Sequence, residues 1–155
     1  MTRIILLGYM GVGKTTYGRK LAKDLNLSFY DLDWYISSRR RKSIPQIFEE
    51  YGVDAFREIE RNMLHEVAEF EDVVISCGGG TPCYFDNMEY MNKQAETIYL
   101  KADVEYIFNN LVNSLNERPL LKNMTPKELK TYISQQLRER EPFYSKAKKT
   151  LIVGK

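Results

Sequence analysis

Residues 4 to 15, IILLGYMGVGKT, constrain the fold more than any other stretch. Ile4-Ile5-Leu6-Leu7 is a short continuous apolar run, which reads as a fully buried strand. It stops at Gly8. Residues Thr15 to Leu25 then carry Tyr17, Leu21 and Leu25 at helical spacing. A strand, a tight turn and a helix must follow one another within a few residues. The turn, Gly8-Tyr9-Met10-Gly11-Val12-Gly13-Lys14-Thr15, fits G-x-x-x-x-G-K-[ST]. Its glycines let backbone N–H groups turn inward as an anion nest, and the helix start adds unpaired donors and a positive dipole end. The pattern predicts a phosphate cradle, a P-loop, with Gly11, Val12, Gly13, Lys14, Thr15 and Thr16 around a nucleoside triphosphate. Lys14 would reach the β- and γ-phosphates, and the Thr15 hydroxyl would ligate Mg²⁺. The bland alternative is a glycine turn with a chance lysine. The flanking strand and helix weigh against it.

The rest of the chain repeats the alternation. Further strands are expected at residues 28–31, 73–76, 97–100 and 150–153. Helices are expected at 15–25, 44–51, 54–70, 104–115 and 126–140. Strands alternating with helices imply an α/β fold with a five-stranded parallel sheet covered on both faces. At 155 residues the chain is one domain, able to bury a core without staples. A net charge of +2, from 23 basic and 21 acidic residues, is too balanced to imply nucleic acid or membrane as the main partner. No apolar run approaches the roughly 20 residues of a membrane span, and the N-terminus lacks a cleavable signal pattern. Cys77 and Cys83 make neither a disulfide framework nor a zinc pattern, and are expected as reduced thiols of a cytoplasmic protein.

A P-loop does not name the acceptor. In an open parallel sheet, ligands bind beyond the carboxyl ends of the strands. Asp31-Leu32-Asp33 ends the second expected strand, and Gly78-Gly79-Gly80 follows the third. If the strand continues, Asp31 and Asp33 point the same way. One carboxylate could then hold hydrated metal while the other accepts a hydroxyl proton; alternatively both cap the next helix. Arg57 and Glu60 share a helix face, usually the sign of a surface ion pair worth little. Arg118-Pro119-Leu120-Leu121 reads as a mobile loop. Pro142 is expected to end the last long helix and fix where Arg140 projects. Three successive glycines mark a place where something approaches the backbone too closely for a side chain.

Together these segments resemble the shikimate kinase family. Members carry G-x-M-G-[AV]-G-K-[ST], D-x-D, F-R-x-x-E, G-G-G, R-P-L-L and R-x-P-x-Y in this order; here they are Gly8 to Thr15, Asp31 and Asp33, Phe56 to Glu60, Gly78 to Gly80, Arg118 to Leu121, and Arg140 to Tyr144. Ser43 to Phe48 resembles the family's S-I-x-x-I-F. The resemblance implies a three-layer α/β/α P-loop kinase with a helical substrate-binding insertion (about 33–60) and a mobile lid (about 112–124). It implies a cytoplasmic monomer that uses ATP and Mg²⁺ to phosphorylate the 3-hydroxyl of shikimate. Catalytic roles fall on Lys14, Asp33 and Arg118. Arg57 and Arg140 would clamp the shikimate carboxylate, Asp33 and Gly78 to Gly80 would contact the ring and its hydroxyls, and Phe48 and Phe56 would wall it. Thr15 and Asp31 would serve the metal. Arg118 would also touch the nucleotide from the lid.

The chain departs from the family in three places. The basic residue about seven positions before the lid arginine is replaced by the neighbourhood Asn109-Asn110-Leu111. Gly52-Val53 stands where members have G-E. Relatives continue past the fifth strand, where this sequence stops at Gly154-Lys155. Competing readings are another small P-loop kinase, for gluconate or a nucleotide, or a nucleotide-sensing module without turnover. Arg39 to Lys42 reads as a solvated turn, His65 as structural, and Tyr9 and Trp34 as packing residues.

Overall fold

The computed structural model describes residues 1–113 and 123–154. Strands β1 (Arg3–Leu7), β2 (Ser28–Asp31), β3 (Val73–Ser76), β4 (Glu96–Lys101) and β5 (Lys149–Ile152) form one parallel sheet in the order β2-β3-β1-β4-β5. Helices α1 (Lys14–Leu25), α2 (Leu32–Arg40), α3 (Ile44–Val67), α4 (Asn87–Gln94), α5 (Val104–Val112) and α6 (Pro126–Tyr144) connect them. The alternation along β1 explains why both faces are covered. Ile5 and Leu7 enter the larger core, whereas Ile4 and Leu6 enter a smaller one with Ala22 and Val74. Successive strand side chains point to opposite faces, so an unbroken apolar run needs helices on each side.

The sheet order places the site. β1 is central, and β3 beside it pairs with β2. Asp31 is in register with Ser76, and Ser76 with Leu6. The three segments that follow these strands therefore emerge side by side at one edge. They are the glycine-rich loop, Asp31 to Asp33, and the three-glycine turn.

Several expectations change. β2 does not continue through Asp33, because the Asp31 carboxylate accepts from the Trp34 N–H (3.2 Å) and starts α2. The helix-cap reading thus holds for Asp31, and Asp33 lies in the first helical turn. α2 and α4 are helices that the periodicity left unassigned. α6 does not stop before Pro142. It runs to Tyr144, because a proline in the last turn removes a single backbone bond and the buried Tyr144 anchors that turn. Gly52, at φ 86°, breaks α3 between the two expected helices. Trp34 is 68% exposed, so it is not a packing residue. Tyr9 is buried and donates to Gln136 (2.6 Å), and His65 stacks on Tyr90. Both cysteines are free. Arg39 pairs with Glu66 and Lys42 with Glu50, while Arg40 and Arg41 are exposed. Most of the expected lid, including Arg118, lies outside the described residues.

Candidate active site

The glycine-rich loop leaves β1 and ends at Gly13, whose φ of 98° suits glycine and sets the first turn of α1. No side chain caps that helix, and no acidic residue stands in its first turn. The donors and the positive end of the dipole therefore face the cleft. Lys14 Nζ donates to the carbonyls of Gly8 (2.7 Å) and Tyr9 (3.1 Å), which folds its long side chain back over the loop. Gly11, Gly13, Lys14, Thr15 and Thr16 line a cleft of about 430 Å³. Val12 does not line it. Its side chain is core, and its N–H is turned onto the Tyr9 carbonyl (3.3 Å).

Asp31 divides its carboxylate between two tasks. One oxygen caps α2; the other accepts from the Thr15 hydroxyl (3.3 Å). Asp33 lines the same cleft. Burial pushes its carboxyl up to about 6, with the neighbouring carboxylates of Asp31 and Glu60 adding to the rise and Lys14 and Arg57 opposing it. Such a group is largely ionised at neutral pH but holds a proton better than an exposed aspartate, which suits a proton acceptor.

A second pocket, of about 180 Å³, adjoins the cleft. Asp33, Gly78 and Gly79 line both. Phe48, Phe56, Arg57, Gly80 and Arg140 line it too, with Met10, Ile44 and Glu60, and the two phenylalanine ring centroids are 4.5 Å apart. The Arg57–Glu60 pair is not the surface pair that the spacing suggests. Glu60 is 1% exposed; it accepts from Arg57 Nη1 (2.9 Å) and from the Thr81 hydroxyl (2.8 Å). Glu60 therefore holds Arg57 in the pocket. Helical spacing alone did not reveal this, because Thr81 comes from a distant turn. Asn110 was also missed: it lines the cleft and donates to the Gly11 carbonyl (2.6 Å).

The three glycines now have a physical reason. None has the positive φ that only glycine tolerates well. Space is the reason, because a side chain there would force a charged neighbour to move. A β-carbon at residue 78 would stand 3.1 Å from the Asp33 carboxylate, one at 79 would stand 3.1 Å from Arg140, and one at 80 would stand 2.8 Å from Arg57. Each glycine makes room for a different charged group.

Comparison with known proteins decides the family. The shikimate kinase family model matches residues 10–155. The chain belongs to the shikimate kinase family. A shikimate kinase of Phocaeicola vulgatus is 55% identical over 148 residues, covering 96% of this chain and 85% of that protein. One from Parabacteroides distasonis is 57% identical over 147 residues, covering 95% and 85%. The crystal structure of a shikimate kinase from Bacteroides thetaiotaomicron superposes with a TM-score of 0.95 at 49% identity, over 97% of this chain and 86% of that one. A shikimate kinase from Acinetobacter baumannii, solved in complex with shikimate, gives 0.90 at 33% identity, over 100% and 85%. Membership in the shikimate kinase family makes the chain an ATP-dependent kinase, and its parallel α/β sheet is the fold of those relatives.

Proposed function

We propose that this chain transfers the γ-phosphoryl group of ATP to the 3-hydroxyl of shikimate, giving 3-phosphoshikimate and ADP. The position of Asp33 carries the reading, since its side chain lines both the phosphate cleft and the two-arginine pocket. An acceptor hydroxyl and a transferred phosphoryl group must meet at such a boundary. Arg57 and Arg140 take the acceptor carboxylate, as guanidinium groups do well. Phe48 and Phe56 cover the ring, and the Gly78 to Gly80 backbone lies against it. Asp33 accepts the hydroxyl proton as that oxygen attacks the γ-phosphorus. The bond to the bridging oxygen breaks, and ADP leaves with the electron pair. Lys14 offsets the phosphate charge, and Arg118 is assigned to the lid by its motif alone. Thr15 and Asp31 offer hard oxygen donors beside the cradle, a set that suits Mg²⁺. Bound there, the ion would neutralise charge on the phosphates. The family resemblance carries the reading of a monomer acting in the cytoplasm; among the described residues no helix is long and apolar enough to cross a membrane.

A coupled ADP-release assay tests the reaction, comparing shikimate, gluconate, a nucleoside monophosphate and no acceptor in the presence of Mg·ATP. Shikimate-dependent turnover is expected. Turnover with gluconate instead would overturn the arginine roles, and ATP binding without turnover would favour a sensing module.

The raised Asp33 pKa sets the pH dependence. A protonated carboxyl cannot accept the hydroxyl proton, so kcat/KM for shikimate should fall as pH drops through about 6. A profile flat down to pH 4.5 would remove Asp33 from that role. Gly79→Val should raise the shikimate KM by about tenfold or more, because the new side chain displaces Arg140. The ATP KM should change far less, and equal loss of both would indicate a folding role.

A further inference from the structure

Arg57 is held by more than its ion pair. Its Nη1 donates to Glu60, and its guanidinium lies against the Gly80 backbone. Its Nε is buried without a hydrogen-bond partner among the described residues. What covers the group is the ring of Tyr84, whose centroid lies 4.1 Å from Arg57 Cζ, against 5.3 Å for Phe56. Among the described residues this is the shortest approach of a cation to a ring.

The chain places that ring deliberately. After the three glycines, Thr81–Cys83 makes one 3-10 turn, closed by Cys83 N–H donating to the Gly80 carbonyl (3.0 Å). Asn87, fully buried, then ties the segment twice: its side chain donates to the Thr81 carbonyl (2.9 Å), and its N–H donates to the Tyr84 carbonyl (3.2 Å). The Tyr84 backbone is therefore anchored although its side chain is partly exposed. Tyr84 stands outside both the F-R-x-x-E and the G-G-G segments.

We infer that Tyr84 is a positioning residue for the acceptor carboxylate, acting through Arg57. Its ring face attracts the guanidinium and shields it from water. The arginine is thereby oriented before the acceptor arrives, which spares the ordering of a long side chain on binding. The inference rests on the proposed shikimate reaction.

Steady-state kinetics and calorimetric shikimate titration test it, with melting temperatures recorded for each variant. Tyr84→Ala should raise both the KM and the Kd for shikimate about three- to tenfold. kcat and the ATP KM should stay near those of the unaltered protein. Tyr84→Phe and Tyr84→Trp should keep normal shikimate affinity. Tyr84→Leu, which covers Arg57 without an aromatic face, should not. A leucine variant as good as phenylalanine, an unchanged alanine variant, or a parallel rise in the ATP KM would each overturn the inference. If the unaltered protein showed no shikimate turnover, the functional reading and this one would fall together. Unchanged variants of a protein that does turn shikimate over would overturn only the role of Tyr84.

Discussion

Asp33→Asn should lower kcat by about 10²- to 10⁴-fold, the usual contribution of a positioned proton acceptor, and should make the protein more stable at pH 7.5. ATP affinity should change little. Both effects have one origin. The carboxylate is buried near Asp31 and Glu60, which holds its pKa at about 6 against an ordinary 3.8. The folded protein therefore binds that proton more tightly than the unfolded chain does. Ionised Asp33 destabilises the fold at pH values above about 6, and the penalty disappears below its unfolded pKa. Asparagine removes the charge and nearly keeps the shape. Allowing for the exposure that Asp33 retains, the gain should be on the order of 1 kcal/mol, or about 2–4 °C in Tm. Thermal melts at pH 7.5 and pH 4 check the sign, since the gain should be present at the first and largely lost at the second, close to the unfolded pKa. A variant that kept most of its turnover would show that another group receives the proton.

Glu60→Ala should be the most destabilising of the substitutions considered. Removing one partner of a buried ion pair leaves the other charge uncompensated, typically at about 3–5 kcal/mol. Arg57 keeps 14% side-chain exposure, so the lower end applies. That corresponds to a Tm drop of about 6–12 °C. The shikimate KM should rise as well, because Arg57 loses its main holder. Glu60→Gln keeps a carbonyl acceptor for Arg57 and can donate its amide N–H to the Thr81 hydroxyl in place of the second acceptor, and should fall between. Combining Arg57→Ala with Glu60→Ala should destabilise by less than the sum of the two single changes, because the double variant leaves no orphan charge. Strict additivity would mean that the pair contributes nothing as a pair.

The phosphate cradle was legible because its strand, turn and helix are neighbours in the chain. The sheet followed from the same local alternation. What the sequence hid lies across elements. Glu60 stands three residues after Arg57, the spacing of an ordinary surface pair, and only Thr81, from the turn after β3, shows that it is buried. α2 escaped because it starts on the last residue of β2 and buries only Leu32 and Ile36, too short a pattern to stand out. α4 is similarly brief. Trp34 misled in the opposite direction, since a large aromatic beside a site residue suggests core and this one is mostly in solvent. Pro142 misled because its steric rule is strictest in helix interiors, and here it sits in a final turn pinned by the Tyr144 hydroxyl, which donates to the Gly79 carbonyl (2.5 Å).

The glycine wall also limits how the acceptor range of this enzyme can change. One side of the pocket is lined by phenylalanines, which can be trimmed atom by atom while the charges stay in place. The opposite side is already bare backbone, with a different functional group against each of its three positions. Growth there displaces Asp33, the proposed proton acceptor, or one of the two arginines, and shrinkage is impossible. A lineage under selection for a bulkier acceptor could gain room by way of the apolar side chains, Met10, Ile44, Phe48 and Phe56. The glycine face would persist as a fixed datum from which the reacting hydroxyl is located.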